Sequence, residues 1–143
     1  MQHYFTTAEL CIQPNAIPQD VADKLWKFHI LPMNAVRHAL GAPITASEKS
    51  GYRPVQWEKR MGRNGLSQHC FQGKGAVDWT TPGGLHLLDE LQSLLIELTT
   101  YTRIARYATF IHCDYKTVAS GKRQLFRSNA QSQWTLLREW RQF

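Results

Sequence analysis

The sequence predicts a small single α+β domain whose mainly antiparallel sheet is flanked by helices, and three observations carry that reading. Apolar residues between positions 18 and 40 recur at steps of three and four. Two short runs, 75–80 and 107–115, are rich in β-forming residues. A leucine-rich amphipathic stretch, 85–101, lies between them. Neither a repeat nor a long linker interrupts the 143 residues, so the whole of 1–143 is expected to share one core.

In the first helix, Val21, Leu25, Phe28, Leu31, Ala35, Val36 and Ala39 fall on one face. Pro32 is expected to kink it, because proline lacks a backbone N–H and crowds the preceding turn. Gly41 and Pro43 end it. Ile44-Thr45-Ala46 reads as a short strand, and Ser50-Gly51-Tyr52-Arg53-Pro54 as a turn presenting Tyr52 and Arg53 to one side. Residues 55–61 read as a helical turn, and four glycines make 62–75 mostly loop. The strand at 75–80 is broken by Thr81-Pro82-Gly83-Gly84, and the helix at 85–101 follows. The run 107–115 alternates as a strand does, and 129–140 reads as a helix with a basic outer face.

Composition narrows the function classes. A chain of this length buries roughly two thirds of its unfolded surface, so no disulfide scaffold or metal staple is needed merely to fold. Cys11, Cys70 and Cys113 are odd in number and form no Cys-x-x-Cys pair, which points to reduced thiols and synthesis in a cytoplasm. No segment has the ~18 apolar residues of a membrane span, so no membrane insertion is expected. The N-terminus has no basic start or apolar run, so no signal peptide is expected. A formal charge of +6, concentrated at Arg53, Lys59, Arg60, Arg63 and Lys74 and again beyond Lys116, attracts anions: nucleic acid, anionic cell wall or lipid headgroups. It is equally compatible with a merely solvated face. No recognition motif supports specific nucleic-acid binding.

Two segments place polar residues where a β-rich core would avoid them. One runs from Ser67-Gln68-His69 to Ala76-Val77-Asp78, and the other is Phe110-Ile111-His112-Cys113-Asp114-Tyr115. On a strand, His112 and Asp114 share a face while Ile111 and Cys113 take the other. Two imidazoles and a carboxylate suit a catalytic zinc that keeps a fourth position for water, which would be activated to attack an amide. With six histidines in the chain, His-x-Asp also arises by chance, and a lone strand histidine is often only a hydrogen-bonded residue. His3, His29, His38 and His86 sit in helical or terminal contexts and keep that plain reading.

These residues resemble the zinc D-alanyl-D-alanine carboxypeptidase and L-alanyl-D-glutamate endopeptidase family, peptidoglycan peptidases with the hedgehog/DD-peptidase fold, and in particular its short phage-type members. The blocks that carry the resemblance are Tyr4-Phe5-Thr6-Thr7-Ala8-Glu9-Leu10, Leu31-Pro32-Met33-Asn34-Ala35-Val36-Arg37, Ser50-Gly51-Tyr52-Arg53-Pro54, Ser67-Gln68-His69 with Ala76-Val77-Asp78, and Phe110 to Tyr115. They leave the basic tail, about 116–143, outside the clearest similarity. The resemblance implies zinc (Zn2+) held by His69, Asp78 and His112. It implies that Arg53 binds substrate or stabilises the oxyanion, and that Ser67 and Gln68 line the substrate cleft.

The departures are informative. The family has six residues between the first histidine and the aspartate, with a glycine four before the latter; this chain has eight, and Lys74 stands at the glycine position. Ser47-Glu48-Lys49 also looks inserted. Family members place an acid three residues before the last histidine, where this chain has Thr109. Asp114 is the nearest substitute as general base, and it could equally orient a ligand imidazole. Glu90 and Glu97 suit a solvated helix face instead. Cys70 and Cys113 each follow a proposed ligand and raise a mixed site, although strand alternation turns Cys113 away. Trp57 and Trp79 could stack on substrate or fill the core.

The resulting expectation is a monomeric, phage-derived zinc peptidase acting on bacterial peptidoglycan after release from the cytoplasm. The alternative is an inactive fold relative serving as a structural or wall-binding virion protein, which Thr109 favours.

Overall fold

Pro32 sets the shape of the first helix. The computed structural model describes residues 4–12, 17–46 and 48–141, so His3 and Ser47 lie outside the described residues. Within it, α1 (Gln19–Lys24) runs into a π-helical turn, Leu25–Ile30, and then into α2 (Leu31–Leu40). The helix meets Pro32 with this wider turn. The Leu31 N–H donates to the Trp26 carbonyl five residues back, which makes room for the proline ring. The carbonyl four residues before Pro32, that of Phe28, accepts instead from the Tyr115 hydroxyl at 2.6 Å.

The extra residue of the π turn rotates the rest of the helix by roughly 100°. Val21 and Leu25 are buried as predicted, but beyond the turn the core face is Ile30, Met33 and Val36. Leu31, Ala35 and Ala39, expected on that face, are exposed. Gly41 in the left-handed conformation closes α2. Then come α3 (Val55–Arg60) and α4 (Leu85–Leu98), whose Leu88, Leu91 and Leu95 complete the core.

Five strands form one sheet in the order β1-β3-β2-β4-β5. These are β1 (Ala76–Trp79), β2 (Arg103–Arg106), β3 (Ile111–Asp114), β4 (Lys122–Ser128) and β5 (Trp134–Arg141). Only β2 and β4 pair in parallel, so the sheet is mainly antiparallel and the fold is α+β. The predicted strand at 107–115 is in fact the second arm of a hairpin: β2 precedes it, and 107–110 is the turn. The strand expected at 44–46 is a single bridge, Thr45 to Thr80.

The clearest correction is at the C-terminus, where 129–140 is not a helix. Trp134, Leu137 and Trp140 fall at steps of three and imitate a helical face, yet they belong to β5, paired along its length with β4. The turn between them is built by Asn129, whose side-chain oxygen accepts from the N–H groups of Gln131 and Gln133 at 2.9 Å each. The sequence of β4 conceals it, since it opens Lys-Arg-Gln. Arg123 is nevertheless buried, because its guanidinium donates to the carbonyls of Ile96, in the last turn of α4, and of Tyr101, just beyond it.

One face of the sheet, with Val77, Trp79, Ile104, Ile111 and Cys113, packs on the helices. The other carries Asp78, His112, Asp114 and Arg103. Among the described residues no helix is long and apolar enough to cross a membrane.

Candidate metal centre

His69, Asp78 and His112 reach one point from two directions. In the antiparallel β1–β3 pair, Asp78 stands directly opposite His112, so the two side chains leave the same face as neighbours. His69 arrives on a short 3-10 turn, Gln68–Cys70, where the Ser67 hydroxyl accepts the His69 N–H at 3.2 Å. The 50–54 block is bound to this turn: the Arg53 N–H donates to the His69 carbonyl at 2.8 Å, and His69 Nδ1 donates to the Gly51 carbonyl at 2.9 Å. Position 51 must be glycine, because a Cβ there would stand 2.0 Å from the Leu10 carbonyl oxygen.

The loop joining His69 to Asp78 is anchored into the core. Gly75 has φ +90°, and a Cβ on it would meet the Phe71 ring at 2.3 Å. The Lys74 ammonium lies 4.9 Å from the centroid of Phe28, and the Lys74 carbonyl accepts from His29 Nε2 at 3.0 Å. His29 Nδ1 in turn accepts from the Tyr101 hydroxyl at 2.8 Å, and that oxygen accepts from Trp79 Nε1 at 3.2 Å. A directed chain of hydrogen bonds therefore runs from β1 through His29 to the loop.

Burial pushes the His29 imidazole down to about 4, against a smaller opposing effect of the Lys74 carbonyl. The unfolded chain then binds a proton between about pH 6.5 and 4 that the folded one refuses. Stability from this group is complete above the unfolded value and is lost as pH falls toward 4, by about 3 kcal/mol in all. Urea unfolding across this window should show the decline, and His29→Leu should flatten it; an unchanged slope in the variant would remove His29 from the account.

The ligand atoms of His69, Asp78 and His112 all lie within 4.8 Å of one another. Asp78 Oδ1 is 2.8 Å from His112 Nδ1 and 3.4 Å from His69 Nε2, and the two nitrogens are 3.3 Å apart. Ligand atoms around a tetrahedral zinc with bonds of 2.0–2.1 Å are separated by roughly 3.3 Å, so this triangle supplies three vertices and leaves one open. The outer nitrogens are occupied as well. His69 Nδ1–H goes to the Gly51 carbonyl, and His112 Nε2–H goes to Asp114 Oδ2 at 2.7 Å. These acceptors fix the tautomers so that His69 Nε2 and His112 Nδ1 turn inward. The donor set therefore fits a zinc ion.

The electrostatics agree with a cation site. Burial works against charge on His112, but hydrogen bonds to Asp114 and Asp78 outweigh it and hold the imidazole at about 9. Burial likewise opposes ionisation of Asp78, yet hydrogen bonds from His112 and His69 keep its carboxyl well below the usual range. Protonated at both nitrogens, His112 donates from Nδ1 to Asp78 and from Nε2 to Asp114, and a metal would take the place of the Nδ1 proton.

Arg53 flanks the triad. Its guanidinium is 3.6 Å from Asp78 Oδ2 and 3.4 Å from Glu58 Oε1, and its Nε donates to the Lys49 carbonyl at 2.6 Å. Ser67 and Gln68 line the same cleft, of about 490 Å³, as do the three candidate ligands and Arg53. Asp114 does not line it. Its side chain has no exposure, and both oxygens are taken by Arg103, by His112 Nε2–H and by the Lys116 N–H. Asp114 thus stands behind the imidazole, within reach of its Nε2–H and away from the water-filled side of the cleft.

Thr109 is exposed in the β2–β3 turn, and Asp78 is the only carboxylate among the described residues that line the cleft. Cys70 and Cys113 are buried free thiols that do not join the ligand group, and Trp79 fills the core. Sequence reasoning missed Glu58, Arg103, Tyr107, Phe110 and Trp134. Glu58, fully buried, holds both Arg53 and Arg63, the latter at 3.0 Å. A hairpin register across 103–114 would have found Arg103, which stands opposite Asp114. Glu58 and Trp134 have no local signal.

Comparison with the curated proteins and with the solved structures finds no match. A family model described as Peptidase M15 matches residues 3–114, a span that includes the triad, Arg53 and the cleft residues Ser67 and Gln68. That family consists of metallopeptidases, typically zinc-dependent. A match over most of the chain, together with a His-Asp-His group that could hold a metal, leads to one conclusion: the chain belongs to the peptidase M15 family.

Proposed function

We propose that this protein is a zinc-dependent peptidoglycan peptidase that hydrolyses an amide bond in the stem peptide of bacterial cell wall. The observation that supports it most is the near-tetrahedral spacing of His69 Nε2, Asp78 Oδ1 and His112 Nδ1 beside Arg53 in an open cleft. Zinc at those three atoms would supply an activated water and polarise the carbonyl it attacks. Arg53, fixed by Glu58 and the Lys49 carbonyl, offers a guanidinium for a substrate carboxylate or for the oxyanion. Ser67 and Gln68 present polar groups to the peptide backbone. Asp114 orients His112 and keeps its proton on Nε2. The +6 charge favours an anionic wall, and a phage-derived monomer acting on peptidoglycan after release fits that reading.

Purified muropeptides should be incubated with the zinc-loaded protein, with and without a chelator, and analysed by mass spectrometry. The expected result is new amine and carboxylate termini that vanish with chelator and return with zinc. Stoichiometric zinc with no cleavage would overturn the hydrolase reading. That outcome would favour a structural or wall-binding relative, a reading supported by Thr109 and by the lack of a second carboxylate among the described residues of the cleft.

A further inference from the structure

The β4–β5 hairpin lies beyond the residues that match the family, yet it reaches the metal-holding face. Trp134, the first residue of β5, lines the same cleft as the three candidate ligands. Its indole is 5.4 Å from the His112 ring, and the Arg103 guanidinium stands over it at 4.8 Å. Arg103 donates from Nε and Nη2 to the Asp114 carboxylate, at 2.9 and 2.5 Å, and that carboxylate accepts His112 Nε2–H. Trp134, Arg103, Asp114 and His112 therefore close a ring of contacts around the back of one imidazole.

The indole is itself held firmly. Phe126 packs on it at 5.0 Å, and its Nε1–H donates to the Tyr107 hydroxyl at 2.9 Å. Tyr107 is in turn stacked on Phe110, with ring centroids 4.3 Å apart. The last torsion of histidine is broad, and hydrogen bonds at Nε2 to Asp114 and at Nδ1 to Asp78 leave the His112 ring some freedom to rock about it. An aromatic ring against it removes that freedom. Covering Arg103 also takes water away from the Arg103–Asp114 pair, which strengthens the interaction that fixes the imidazole's proton.

We propose that Trp134 is a positioning residue for the metal site. By packing on His112 and covering Arg103, it keeps His112 Nδ1 aimed at Asp78 and His69. This rests on the zinc reading above and assigns the C-terminal hairpin a part in it. Trp134 acts through Arg103 and His112 and need not touch the ion or the reacting bond.

The test is zinc affinity of the whole chain, measured by competition with a chromophoric chelator, together with the visible spectrum of the cobalt-substituted protein. Trp134→Ala is expected to weaken zinc roughly 10–100-fold, the range typical of groups that orient metal ligands, and to alter the cobalt bands. Trp134→Phe, which retains an aromatic ring, should stay within a few-fold of wild type. Arg103→Met should weaken zinc as well, and the double variant by less than the product of the two. If Trp134→Ala fails to fold, Trp134→Leu, which fills space without an aromatic face, is judged on the same scale. Wild-type zinc affinity in a folded Ala or Leu variant, or independent effects of the Trp134 and Arg103 changes, would overturn the inference. A wild-type chain that binds no zinc would instead overturn the functional reading itself.

Discussion

Asp78→Ala is expected to lower zinc affinity on the order of 10³-fold, about 4 kcal/mol, and to bring peptide hydrolysis to background. Asp78 is the one anionic member of the triad, and its Oδ1 makes both of the group's contacts to histidine, at 2.8 and 3.4 Å. Without it, two neutral imidazoles remain, too few to hold the ion in an open site. The same change removes one of the two carboxylates beside the Arg53 guanidinium, 3.6 Å away at Asp78 Oδ2, and leaves it held by Glu58 and the Lys49 carbonyl. A ligand that binds only the folded state stabilises it by mass action, about 2.7 kcal/mol at a hundred times its dissociation constant. Zinc should therefore raise the melting temperature of the wild type and leave that of Asp78→Ala unmoved. A variant that still melts higher with zinc would mean that the ion sits elsewhere.

Strand periodicity makes part of the site legible in the sequence, and the family resemblance of the blocks around His69, Asp78 and His112 supplies the full triad. His112 and Asp114 two apart, with a β-forming run around them, announce one polar face, and Asp78 at the end of an apolar run announces another. The hydrogen bonds that orient them were not legible, because their partners come from segments with no pattern of their own. Gly51 contributes a carbonyl, which no side-chain motif records. Arg103 lies in a strand of only four residues whose exit turn, 107–110, carries a tyrosine and a phenylalanine and so reads as a continuing strand. Leu31 was placed in the core by a regular helical count, and the π turn before Pro32 moved it out by one residue. The C-terminal hairpin misled for the opposite reason: Trp134, Leu137 and Trp140 keep a helical step by coincidence. The partner that makes β5 a strand, β4, is disguised by Arg123, a buried cation whose acceptors are carbonyls at the end of α4 and just beyond it.

Asp114 separates a structural role from a chemical one, and its two substitutions should behave differently. Asp114→Ala leaves His112 Nε2–H, the Lys116 N–H and the Arg103 guanidinium without their shared acceptor. Breaking a buried pair by removing one partner costs about 3–5 kcal/mol, and the partial exposure of Arg103 places this one toward the lower end. Burial opposes ionisation of Asp114, but hydrogen bonds from His112 and Arg103 hold its carboxyl well below the usual range. The stability it contributes is therefore present above the unfolded carboxylate value near 4 and is lost only as pH falls below it. Asp114→Asn keeps an oxygen able to accept from His112 and should fold, with zinc affinity reduced roughly 10–100-fold. At zinc concentrations that saturate the variant, its kcat should recover to within about tenfold of wild type, because the carboxylate faces the back of the imidazole and touches no substrate. A group that took the proton from water would behave otherwise, since loss of a general base costs roughly 10²–10⁴ in rate whatever the metal occupancy. Turnover that stays down by that amount at full zinc loading would return Asp114 to the chemistry, and would require the cleft to open around a side chain that is fully enclosed in this fold.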